Sequence, residues 1–276
     1  MVPTTGRPSA AEGERMRELY RWFHSHPELS LQEHGTAARI EEELDDIGIP
    51  HFRCATTGVV GILENGEGPV VAFRTDTDGL PVQEDTGLAY ASTARAELGG
   101  ESVPVMHACG HDIHMTALLT AARALESFRE SWSGTVVLIF QPAEEIAAGA
   151  RAMIEDGLWN RAPKPSVVYG QHVMPLTTGS VAYAPGHTMT LATSWRVTVR
   201  GLGSHASQPH AAIDPITLGA HIVTRLQTIV SREIDPRHPA VITVGTFHAG
   251  IKENVIADTA DLTLNFRSFD PEVHAQ

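Results

Sequence analysis

VVAFRTDTDGLP, residues 70–81, decides the fold: an apolar run ends directly in two aspartates, Asp76 and Asp78, ahead of a turn. A short, uniformly apolar run bounded by turn formers reads as a strand buried on both faces. Working outward, TVVLIF (135–140) has the same texture and ends in QPAEE, and SVVYGQH (166–172) ends in His172. Gly58–Leu63 is a further strand, separated from Val70–Arg74 by the turn-rich ENGEGP. Helical patterns lie between these runs. Residues 9–26 carry a capping box, Ser9 with Glu12, and place Met16, Leu19, Tyr20 and Phe23 on one face. Residues 36–47 show Ala37, Ile40, Leu44 and Ile47 as a stripe with Gly48 as the stop. A third helix begins near His111 and runs through Leu118, Leu119, Ala122 and Leu125, and a short one over 148–157 closes at Gly157. The alternation gives an α/β fold, a mostly parallel sheet with helices on both faces. In such sheets the polar site lies outside the carboxyl ends of the strands. Asp76, Asp78, Glu144, Glu145 and His172 are therefore expected to converge.

The texture changes after residue 185. Trp195, Val197 and Val199 alternate with polar neighbours, as in a strand wet on one side. Asp214-Pro215 opens a helix to about Ser231, strands follow at Val241–His248 and Leu262–Phe269, and Asp270-Pro271-Glu272 starts another helix. Residues 1–185 thus form one domain, and 186–276 a small open-faced α+β domain, incomplete as it stands.

Composition narrows the partners. A net charge of −13 argues against nucleic acid, whose phosphates are held by surplus Lys and Arg, and against an anionic membrane surface. No run approaches the roughly 18–20 apolar residues that span a bilayer. The start, MVPTTGRPSAAEGERM, has no leader-like apolar segment. Two cysteines, Cys54 and Cys109, make no disulfide framework. A cytoplasmic protein acting on small molecules fits these constraints.

The chemistry gathers at MHACGHD, residues 106–112, where Cys109 and His111 stand two apart and point to one side of a locally extended chain. Thiolate and imidazole are a natural donor pair for a zinc-like cation, although alone the stretch reads equally as a buried cysteine beside surface histidines. In QPAEE, neighbouring carboxylates diverge, so one can bind metal while the other meets a water. His172 supplies another imidazole; by itself it is a capping or core histidine.

TDTDGLP, MHACGHDIHMTALL, FQPAEE, GQHVMP, GLGSHASQPHAAIDPI and ENVIADTADLTLNFRSFD occur in the order seen in the zinc aminoacylase and carboxypeptidase superfamily. The chain most resembles the branch of hippurate hydrolase, auxin-conjugate hydrolase and N-acetyl-diaminopimelate deacetylase. The resemblance implies a metal-dependent amidohydrolase that cleaves the acyl–nitrogen bond of N-acyl amino acids. Dipeptidase or carboxypeptidase action and an inactive metal-binding protein are the alternatives. It further implies that Cys109, His111, Glu145 and His172 bind a pair of divalent metals, zinc or manganese. Glu144 is then the general acid/base, and Asp78 orients a site group. His205 reaches the reacting carbonyl of a partner in a homodimer built through the small domain. Asn254 and Arg267 hold substrate, Arg267 by a bidentate grip on a carboxylate. Without the resemblance, His205 reads as a polar loop residue and Arg267 as a solvated charge. Members of the family run on past the point where this sequence stops, completing the small domain and adding a final metal-binding histidine, for which His274 is no candidate. The chain is accordingly expected to be C-terminally truncated, with incomplete metal loading and little turnover.

Overall fold

The computed structural model describes residues 9–186 and 188–276; the first eight residues, on which the reading of the chain's start falls, lie outside them. The chain divides into two compact units, Met1–Leu176 and Thr177–Gln276. The first unit ends ahead of the boundary read at 185, and residues 177–186 are exposed, so no core claims them.

Unit 1 comprises α1 (Ala10–Ser25), α2 (His34–Ile47), β1 (His51–Cys54), β2 (Gly58–Asn65), β3 (Val70–Asp76), β4 (Arg95–Leu98), β5 (Glu101–Pro104), α3 (His111–Ser127), β6 (Gly134–Gln141), α4 (Gly149–Glu155), α5 (Leu158–Arg161) and β7 (Val167–Gly170). The α1 capping box and the left-handed stop at Gly48, φ 83°, form as the sequence implies. The main sheet runs β1-β2-β6-β3-β7. It is mixed: β6, β3 and β7 are parallel, while β2 is antiparallel to both β1 and β6. ENGEGP therefore does not join neighbours, because β6 inserts between β2 and β3.

Strand periodicity explains the two-sided core. Val136, Leu138 and Phe140 of β6 pack with Leu19 and Phe23 of α1, Ile40 and Leu44 of α2, and Met115 and Leu119 of α3. The intervening Val137 and Ile139 face Met153 of α4 and Leu158 of α5. Full burial of each such Leu, Ile or Phe stabilises by about 1.5–3 kcal/mol. β7 departs from the buried-strand expectation: it is the sheet edge, and Val167, Val168 and Tyr169 are exposed. Because β3, β6 and β7 run parallel, with Asp76 beside Gln141 and Arg74 beside Gly170, the chain leaves all three strands at the same edge.

Unit 2 holds β8 (Leu191–Arg200), β9 (Ser204–His205), α6 (Pro215–Arg232), β10 (Ala240–Ala249), β11 (Val255–Ile256), β12 (Thr259–Ser268) and α7 (Pro271–Ala275). β10-β12-β8 form an antiparallel sheet, and β9 pairs with β11. Asp214 caps α6, with Pro215 opening it. Ile222, Val223, Leu226 and Ile229 of α6 pack on Val199, Leu262 and Phe266, while Trp195 and Val241 remain about half exposed. Among the described residues, no helix is long and apolar enough to cross a membrane.

Candidate metal centre

The edge where β3, β6 and β7 end gathers Asp76, Asp78, Cys109, His111, Glu144, Glu145 and His172. The expected extended geometry of Cys109–His111 does not occur. Gly110 adopts φ 84° and starts α3, so Cys109 lies before the helix and His111 in its first turn. Glycine alone takes this conformation readily, and a Cβ there would strike Val173. Cys109 Sγ and His172 Nε2 come within 3.4 Å. His172 Nδ1 donates to the Val173 carbonyl at 2.7 Å, which leaves Nε2 a bare lone pair beside the sulfur.

His111 is the hub. Its ring is wholly buried, and Nδ1 donates to the Asp78 carbonyl at 2.8 Å. That leaves Nε2 with no hydrogen-bond partner, 3.7 Å from Asp76 Oδ2, 3.9 Å from Glu144 Oε2 and 3.8 Å from Glu145 Oε1. Glu145 Oε1 is likewise buried and unpartnered. Buried polar atoms mostly find partners in folded proteins, and although Thr36, Arg39, His107 and Glu126 also carry unpartnered ones, two such atoms 3.8 Å apart fit a shared missing partner. Ligand atoms of Cys109, His111 and His172, and separately of His111, Glu144 and Glu145, lie within 4.8 Å of one another. The charges agree. Burial first, then Glu145, push the Cys109 thiol up to about 11. Burial, with Glu144 and Asp78 adding, raises Glu145. For His111 burial pulls down, but the bond to Asp78 and the charge of Asp76 outweigh it and raise the imidazole. Each group resists the form a cation needs until a cation arrives. A thiol, two imidazoles and a carboxylate suit a zinc-like dication.

The two glutamates differ. The side chain of Glu144 is 41% exposed and that of Glu145 19%, so Glu144 has the access to solvent and Glu145 the burial. Asp78 accepts the amides of Glu144 and Glu145, both at 3.0 Å, and the Ser30 hydroxyl at 2.6 Å.

The sequence reading places Asp76 at the site without a specific role and passes over His114. His114 lies one helical turn beyond His111, spacing that puts both on one face and was available as a signal. Its Nδ1 meets Asp76 at 2.7 Å and its Nε2 accepts the Val173 amide at 2.9 Å, next to His172. Burial pushes the Asp76 carboxyl up, but the bond to His114 and the charges of His111 and Arg74 override it and hold it far below the usual range. Beside the cluster, Tyr20, His24, His107, Cys109 and Met174 line a cavity of about 400 Å³.

In unit 2, β9–β11 pairing sets His205 opposite Val255, and the Ala206 amide donates to the Asn254 carbonyl at 3.0 Å, bringing His205 and Asn254 together. His205 Nδ1 meets the Ser207 hydroxyl at 2.7 Å. Arg267 is not brought to that pair. It sits on β12 opposite Ala192 and Val241, and the strand from Thr259 to Arg267 covers roughly 26 Å at about 3.3 Å per residue.

Residues 72–269 match the model of the family described as peptidase family M20/M25/M40. The chain is 41% identical over 261 residues to an N-acetyl-L-cysteine deacetylase of Bacillus subtilis, covering 94% of this chain and 60% of that protein. It is 40% identical to a hippurate hydrolase of Campylobacter jejuni, covering 95% and 66%. Among solved structures, a putative aminohydrolase from methicillin-resistant Staphylococcus aureus superposes with a TM-score of 0.83 at 38% identity, over 96% of this chain and 69% of that one. A dinuclear metal-binding peptidase of Bacillus subtilis gives 0.76 at 34%, over 97% and 67%. The chain thus spans 60–66% of the length of these two curated relatives.

Proposed function

Because the chain belongs to peptidase family M20/M25/M40, we propose that it is a metal-dependent amidohydrolase cleaving the acyl–nitrogen bond of N-acyl amino acids. The observation that carries this reading is the pair of buried, unpartnered ligand atoms, His111 Nε2 and Glu145 Oε1, in a cluster with Cys109 and His172. Relatives named for N-acetylcysteine and hippurate support the substrate class. Cys109, His111, Glu145 and His172 would hold a pair of divalent metals, zinc or manganese, and the neighbour's dinuclear site supports two. When bound, the metal supplies a Lewis acid that acidifies water and polarises the amide carbonyl.

The chain's own residues do the rest. Glu144, the more exposed glutamate, takes a proton at its carboxylate from the attacking water and hands it to the leaving amine nitrogen. Asp78 holds both glutamates by their backbone amides. For unit 2 the proposed roles are homodimerisation, stabilisation of a partner's reacting carbonyl by the exposed His205, and a grip on substrate by Asn254 and Arg267.

The test is metal-stripped protein reconstituted with zinc or manganese and offered N-acetyl- and N-benzoyl-amino acids beside dipeptides. In a protein extended to the length of the curated relatives, of which this chain spans 60–66%, metal-dependent release of amino acid from the N-acyl substrates is expected. Preference for dipeptides would assign a peptidase instead, and no metal-dependent turnover of either would overturn the reading.

A further inference from the structure

Three consecutive amides of the loop after β6 end on buried carboxylates. Asp78 receives those of Glu144 and Glu145, and the amide of Ala143 donates to Glu33 Oε1 at 2.8 Å. Glu33 is wholly buried, and its other oxygen accepts the Thr57 hydroxyl at 2.9 Å. It occupies the N-cap position of α2 but makes no side-chain bond to the amides of that helix. Its carboxylate is turned instead towards the loop. Burial pushes that carboxyl up in spite of these hydrogen bonds, so the residue is held there at a cost to its charged form.

The loop needs holding. Ala143 sits at φ 49° and Ala147 at φ 54°, left-handed conformations that residues bearing a Cβ disfavour. A Cβ on Gly149 would overlap the Pro142 carbonyl, so the loop also closes tightly upon itself. Released from Glu33, Ala143 would relax towards negative φ and swing Glu144 and Glu145 away from His111.

We infer that Glu33 is a positioning residue of the metal centre, fixing the backbone of Ala143 so that Glu145 and Glu144 keep their places beside His111. The inference rests on Glu145 being a metal ligand.

Cobalt(II), titrated into the metal-free protein and followed by visible absorption, tests it without turnover. Glu33→Leu should weaken cobalt binding by about 10- to 100-fold, the usual effect of losing a partner behind the ligands, and alter the ligand-field bands. Glu33→Gln keeps an acceptor for the Ala143 amide and should restore most of the affinity and the spectrum. Thr57→Val removes the other bond of Glu33 and should lower Tm while leaving the cobalt spectrum unchanged. Should the leucine variant not fold, Glu33→Asp serves, because its shorter carboxylate cannot span Thr57 and Ala143. Wild-type affinity and spectrum in the leucine or aspartate variant would overturn the inference, as would a glutamine variant no better than leucine. A wild-type chain that binds no cobalt would sink the ligand assignment itself, a separate failure.

Discussion

Three candidate residues of unit 1 sit in the opposite environment from those of unit 2, although His172 is exposed and Glu144 and Glu145 are half-buried. In unit 1, His111, Asp78 and Asp76 are 0%, 1% and 2% exposed and are tied to residues from other elements. In unit 2, His205, Asn254 and Arg267 are all exposed, and Arg267 bonds the neighbouring Asn265 side chain at 3.0 Å. Burial makes chemistry legible. A buried imidazole and a buried carboxylate with orphaned atoms, His111 Nε2 and Glu145 Oε1, are costly unless something charged completes them. Exposed polar side chains cost little, so geometry alone does not separate a substrate contact from a solvated surface.

The contrast can be broken most strongly at Glu144 and Glu145. In a full-length context Glu144→Gln should leave metal content intact and lower kcat by at least about 10²-fold, the scale of general acid/base catalysis. Glu145→Gln should lose metal. Metal analysis beside kinetics decides, and the opposite pattern would exchange the two roles. Next in size, His114→Ala should weaken metal binding by about tenfold through the Val173 amide that steadies His172, as losses behind a ligand commonly do. Unchanged metal affinity would show that the Asp76–His114 pair only supports the fold.

In unit 2, Arg267→Ala should impair substrates with a free carboxylate by roughly tenfold or more relative to their amides and esters, in line with a charged hydrogen bond of about 1.5–3 kcal/mol. Equal losses on all three would leave Arg267 as the surface charge its environment suggests.

The smallest effect concerns His24, clamped between Asp112 at 2.7 Å and Glu84 at 3.0 Å. Burial pulls its imidazole down, but the bonds to Glu84 and Asp112 outweigh it and leave it raised. A raised value means that the charged clamp contributes fully below the ordinary 6.5 and is lost as pH rises through the folded-state value. Tm should therefore fall by a few degrees more between pH 6 and pH 9 in the wild type than in His24→Gln. Parallel profiles would remove His24 from the balance.

How much was legible follows from the same physics. The apolar runs ending in Asp76, Gln141 and His172 announced the strands and the edge where the site forms, because strand texture and strand-end chemistry are local. Sheet order was not local: nothing in ENGEGP says that β6 will insert between β2 and β3. The turn at Gly110 also escaped, since spacing alone cannot tell an extended pair from a helix start. Glu33 and His24 gave no signal. A buried carboxylate or imidazole looks in sequence like any surface charge, and only the groups brought to it by the fold reveal its work.

Zinc binding by the 276-residue chain is the most direct measurement of the central claim. Stripped protein, dialysed against zinc and then against buffer, would be analysed for metal beside the double variant Cys109→Ser, Glu145→Gln. Retained zinc in the wild type and its loss in the folded double variant are expected. A wild type that retains none, or a double variant that retains as much, would contradict the assignment of this cluster as a metal centre.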